Sequence, residues 1–115
     1  MDLVESHNMS ADEEFDHWWI VTRFRYVDQV IALASAGEGL VSVIEFGCGT
    51  AQNLRFCRQR SRFRHRLDRL VGVDPGLTTV ARQPWMSDRD SVGPQVTNGA
   101  PPYDVLLAMD VLEHI

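Results

Sequence analysis

The residues able to do chemistry gather in three short runs. The first is Glu45-Phe46-Gly47-Cys48-Gly49-Thr50-Ala51. Two glycines separated by one residue let a backbone turn sharply and let a ligand approach where a Cβ would clash. Such a turn alone fits many nucleotide sites, but here Glu45 stands two residues before the first glycine. A carboxylate at that place repels the pyrophosphate that a dinucleotide site presents to helix amides. It attracts a ligand carrying positive charge, such as an amino group beside a sulfonium. The plainer alternative is a tight turn with Glu45 solvated at a strand end. The second run ends in Asp74, followed by Pro75-Gly76. An ionised carboxylate only accepts hydrogen bonds and can take two donors at once, which suits the vicinal hydroxyls of a ribose. Asp is equally at home opening a Pro-Gly turn. Asp74 follows Gly49 by 25 residues, more than the roughly 20 usual for a ribose acid, and the arginine-rich segment between them accounts for the excess. The third run is Asp110 to His114. His114 has a side chain that titrates near neutrality and could act as a general base, or it supports the turn through the backbone.

These runs need elements to hold them. Ile20, Phe24, Val27, Ile31 and Ala34 recur at helical spacing, with Asp16 as the N-cap and Gly37 and Gly39 as the stop. Residues 40–46 read as a strand buried on both faces, and a helix follows from about Thr50 to Arg60 with Leu54 and Cys57 inward. Residues 70–73 form a second buried strand. A short helix is expected through Val80 and Ala81, stopping before Pro84, and a weak strand near residues 95–97. Residues 103–109 are a third buried strand. Apolar strands alternating with helices imply a parallel sheet covered by helices, in which ligands bind beyond the carboxyl ends of the strands. All three chemical runs fall at those ends.

Composition narrows the classes. The chain has 115 residues, 44% of them hydrophobic and 23% charged, which is one domain with ordinary globular content. No apolar run approaches the roughly 18 residues of a membrane span, and no signal-peptide pattern opens the chain. Cys48 and Cys57 have neither metal-ligand spacing nor the density of a disulfide scaffold, so reduced thiols, a cytoplasmic location and no metal are expected. The net charge of −5 is uneven: residues 1–16 hold six acids and no Lys or Arg, and residues 55–69 hold seven arginines against one acid. That cluster could be a nucleic-acid patch; a solvated helix end is the expected reading.

Residues 43–51, 71–74 and 103–115 resemble, in order, three motifs of the class I S-adenosylmethionine-dependent methyltransferases. The last is similar to the small-molecule branch of the ubiquinone-biosynthesis O-methyltransferases, and the leading helix with His17-Trp18-Trp19 also resembles that of such enzymes. The resemblance covers residues 15–115 and implies a Rossmann-like α/β fold with S-adenosylmethionine as cofactor. It implies that Glu45, Phe46, Gly47, Cys48 and Gly49 line the methionine end, that Asp74 holds the ribose, that Pro75 packs near the adenine, and that Asp110 borders the methionine and the substrate. Ala51 replaces the commoner third glycine. The acid that usually follows the third strand has no clear counterpart; Asn98, Asp88 and Asp90 are the candidates. The family continues through further strands, so the chain reads as a cofactor-binding half truncated after the fourth strand, behind an acidic, mobile 1–14.

The expected function is methyl transfer to a small-molecule, lipid-linked or sugar-linked acceptor. The alternatives are a non-catalytic remnant that at most binds cofactor, an RNA-modifying methyltransferase using the arginines, and a nicotinamide-dependent oxidoreductase, against which Glu45 argues. Self-association through the exposed edge of the last strand is also expected, because an unpaired apolar edge templates pairing.

Overall fold

The computed structural model describes residues 18–37, 39–80, 82–96 and 102–108. The expectations for residues 1–14, Asp16, Asn98, Met109, Asp110 and His114 lie outside these, as do those for the side chains of Trp18 and Trp19.

Helix α1, Trp18–Ala34, turns Phe24, Val27 and Ile31 inward, as their spacing requires. Past its end the chain is held by an arginine distant in sequence. Arg66 Nη2 donates to the carbonyls of Gly37 at 2.7 Å and Gly39 at 3.0 Å. Strand β1 is Val41–Phe46, and helix α2, Gln52–Gln59, crosses over to β2, Leu67–Val73. A single 3₁₀ turn, Arg64–Arg66, precedes β2. Strands β3, Ser91–Gly93, and β4, Val105–Leu107, complete a sheet of order β3-β2-β1-β4.

Every pairing is parallel. Glu45 lies beside Gly72 of β2 on one side and Leu107 of β4 on the other. The chain therefore leaves β1 in one direction through β2 and β3, then returns to the opposite flank of β1 as β4. The Rossmann-like α/β fold of the sequence reading is present, with its switch point between β1 and β4.

Both described helices pack on one face. The core there joins Val27 and Ile31 to Val43, Leu54, Cys57, Leu70, Val92, Val105 and Leu107, with the rings of Phe24 and Phe56 stacked at 4.4 Å. The other face carries Ile44, Val71 and Val73, against which Tyr103 packs. Among the described residues no helix covers it. Leu106, on that face, is 63% exposed, so β4 is not buried on both sides as its apolar run suggests.

Two further expectations are corrected. No helix forms over residues 77–80 or 82–86; β-branched Thr78, Thr79 and Val80 resist helical χ1 confinement. A cleft of about 550 Å³ opens there between α2 and residues 83–85. The third strand is Ser91–Gly93, and Gln95 and Val96 lie outside any strand. The arginines are in part the solvated surface expected: Arg60, Arg62 and Arg64 are exposed, while Arg66 and Arg58 are held against the fold.

Arg58 shows how. Its guanidinium grips Asp90 through Nε at 3.0 Å and Nη2 at 2.7 Å while donating to the carbonyls of Leu67 and Asp68. Asp90 also accepts from the amides of Leu70 and Ser87. One buried pair thus ties α2, β2 and the approach to β3. Removing a partner from such a pair leaves an uncompensated charge, so Asp90→Ala is expected to cost about 3–5 kcal/mol. Arg89→Ala, which breaks the exposed pair with Asp68, should cost about 1 kcal/mol or less. Urea unfolding of the two variants checks the contrast.

Candidate functional site

The turn after β1 is built from left-handed residues. Gly47, Gly49 and Ala51 have φ of 70°, 53° and 64°. Glycine reaches that region freely, but Ala51 occupies it with a Cβ, buried completely at the N-cap of α2 and with no side-chain cap bond. The turn is pinned to β2, because the amides of Gly47 and Cys48 donate to the Val73 carbonyl at 2.7 and 3.3 Å. A Cβ on Gly49 would meet nothing within 4 Å, so this glycine serves its φ and leaves open space above the turn.

Asp74 reaches the same turn from β2. Its Oδ2 accepts from the Gly49 amide and its Oδ1 from the Gly76 amide, both at 2.9 Å. The two readings of Asp74 left by the sequence are therefore not exclusive: it organises the Pro75-Gly76 turn and faces the glycine turn. Each carboxylate oxygen has a further acceptor position, so the group retains capacity for two more donors. Pro75 is exposed beside it.

Glu45 is not solvated at a strand end. It is 2% exposed, and its Oε2 accepts from Asn53 Nδ2 at 2.7 Å. Strand alternation puts Glu45 on the α2 side and Phe46, 37% exposed, on the other; Phe46 brings only backbone to the turn. Cys48 sits over Gly72, where an added Cβ would lie 2.8 Å from its Sγ. Burial first, then the charges of Glu45 and Asp74, push the Cys48 thiol from 9.0 to about 11. Burial raises Cys57 as well, again with a contribution from Glu45. Both carboxylates are therefore close enough to the turn for their charge to be felt at Cys48.

The structure gathers Glu45, Gly47, Cys48, Gly49 and Asp74 at the carboxyl ends of β1 and β2. Asp88 and Asp90, offered as counterparts of an adenine-reading acid, precede β3 at the opposite end of the sheet, and Asp90 is committed to Arg58. Sequence reasoning missed Asn53 and Gly72. A polar residue in the first turn of a helix whose neighbour Leu54 faces the core was the available signal for Asn53, and the glycine inside an apolar strand was the signal for Gly72. The arrangement can hold a ligand that brings positive charge to the turn and hydroxyl donors to Asp74. No helix among the described residues is long and apolar enough to cross a membrane.

A family profile described as a methyltransferase domain matches residues 7–115. No curated protein and no solved structure matches the chain.

Two outcomes follow from the turn. The left-handed conformation costs an L-residue about 1–2 kcal/mol, partly offset by glycine's greater unfolded freedom. Ala51→Gly is thus expected to stabilise by about 0.5–1 kcal/mol in urea unfolding. The raised thiols set a pH dependence: they stay protonated when folded and ionise near 9.0 when unfolded. Resistance to urea should hold up to pH 9.0 and fall as pH climbs towards 11, less steeply when Cys48 and Cys57 are both alanine.

Proposed function

The chain belongs to the methyltransferase-domain family, and from that premise we propose that it uses S-adenosylmethionine, bound over the glycine turn after β1, for methyl transfer to a small-molecule, lipid-linked or sugar-linked acceptor. The observation that carries the reading is the placement of two carboxylates about one turn: Asp74 accepts from the Gly49 amide, and Glu45, at the end of β1, is held by Asn53 on the helix that the turn opens. The fit is chemical. Glu45 gives the turn negative potential, which favours a cationic amino-acid and sulfonium end and disfavours a pyrophosphate. Asp74 keeps acceptor capacity for a ribose diol beyond its bonds to Gly49 and Gly76. The open space above Gly49 admits a ligand to the backbone. When bound, the cofactor supplies a methyl group already activated on sulfur, so the protein's contribution is chiefly alignment.

Phe46 and Cys48 would border the methionine end through backbone, and Pro75 would lie near the adenine. Asp110, the proposed border of the substrate, and His114, the proposed base, lie outside the described residues. The ubiquinone-type acceptor class rests on the resemblance of residues 103–115 alone. The RNA reading is less well supported, since Arg58 and Arg66 are engaged with Asp90 and with the Gly37 and Gly39 carbonyls. Among the described residues β4 pairs only with β1, and its other edge, beside exposed Leu106, is where a second copy would add a strand.

Isothermal titration tests the reading: S-adenosylmethionine should bind and NAD should not. Asp74→Asn should weaken the former by about 1.5–3 kcal/mol, the scale of hydrogen bonds to a charged group. Binding of NAD alone, or an affinity untouched by the substitution, would remove this assignment.

A further inference from the structure

Asn53 is hard to explain by stability. It sits in the first turn of α2, is 3% exposed, and faces inward beside Leu54. Asparagine is a poor residue inside a helix, and its usual merit is capping. Here it does not cap: the N-cap is Ala51, with no side-chain cap bond. Its Nδ2 donates to Glu45 Oε2 at 2.7 Å, but its Oδ1 is buried with no hydrogen-bond partner. An orphaned buried carbonyl destabilises a fold, and an apolar side chain of the same size would avoid it. What the asparagine achieves is done to Glu45.

Glu45 reaches the turn as a charge from underneath. Its neighbour on β2 is Gly72, which has no side chain, and Cys48 lies over that gap. A carboxylate on a three-torsion side chain keeps one position there only if something fixes it. The amide of Asn53, carried on the helix that starts at the glycine turn, fixes it relative to that turn.

We propose that Asn53 is a positioning residue that, by holding the Glu45 carboxylate beneath the glycine turn, sets the preference of the site for ligands that bring an α-ammonium group to it. The inference rests on the cofactor reading above and deepens it: Asn53 touches no ligand and acts through Glu45. The charge of Glu45 at Cys48, felt as part of that thiol's upward shift to about 11, agrees with a field that extends into the turn.

The test compares two ligands on the full chain. S-adenosylhomocysteine carries the amino-acid end; 5′-methylthioadenosine has the same adenosine and sulfur without it. Asn53→Leu, close in size and without a donor, should lose about tenfold of the preference for S-adenosylhomocysteine, the scale of one hydrogen bond to a charged group. Its affinity for methylthioadenosine should stay within about twofold of the wild type. Glu45→Gln, which keeps an acceptor for Asn53 and drops the charge, should show the same selective loss and provides the readout if Asn53→Leu folds poorly. Equal weakening of both ligands would mean a merely structural role and would overturn the inference, as would an unchanged ratio in both variants. A wild-type chain that binds neither ligand would overturn the cofactor reading, and this inference with it. Wild-type binding of both with the ratio unmoved would overturn the inference alone.

Discussion

A parallel sheet whose chain returns to the far side of its central strand has to part its crossovers there, and everything else in this molecule follows from that parting. β1 is paired on both flanks, with β2 and with β4. Its own exit must therefore be made in a few residues, and the left-handed run from Gly47 to Ala51 makes it. The turn leaves open space at the end of the most enclosed strand. Asp74, arriving on β2, closes on the Gly49 amide, so the ends of two strands become one surface.

Buried carboxylates at opposite ends of the sheet divide the work. Asp90 precedes β3 and is gripped by Arg58, which also serves carbonyls around β2. A guanidinium fork matched to a carboxylate suits rigid attachment. Glu45, near the other end, is held by the amide of Asn53, a group without charge of its own. The charge is fixed in place, and it is felt at Cys48 in the turn above. Stability at one end and electrostatic character at the other come from similar side chains with different partners.

Periodicity made the core legible. Phe24, Val27 and Ile31 on α1, Leu54 and Cys57 on α2, and Val41, Val43 and Ile44 of β1 are buried as their spacing implies, because burial at those positions depends on local pattern. The glycine turn was legible for the same reason, since φ above zero is demanded of a few residue types. What depended on partners was not. β2 begins at Leu67, through Asp68 and Arg69, where polar residues disguise a strand. Arg58 looks like part of a charged surface until it meets Asp90, 32 residues away. Asp90 looked available to a ligand only while its partner was unknown. Glu45 was recognised by type and position, but its burial rests on Asn53, eight residues on. Leu106 gave an apolar signal and is exposed, because no described element lies over its face.

The central claim is that the end of β1, and not the arginine segment or the cleft beside α2, is where this chain meets its ligand. Amide chemical shifts on addition of S-adenosylhomocysteine test it most directly. The account predicts that the largest perturbations fall on Gly47, Gly49 and Gly76, the amides at the turn and around Asp74. Perturbations centred on residues 60–66, or on Gln83 and Trp85, with those three glycines unmoved, would contradict it.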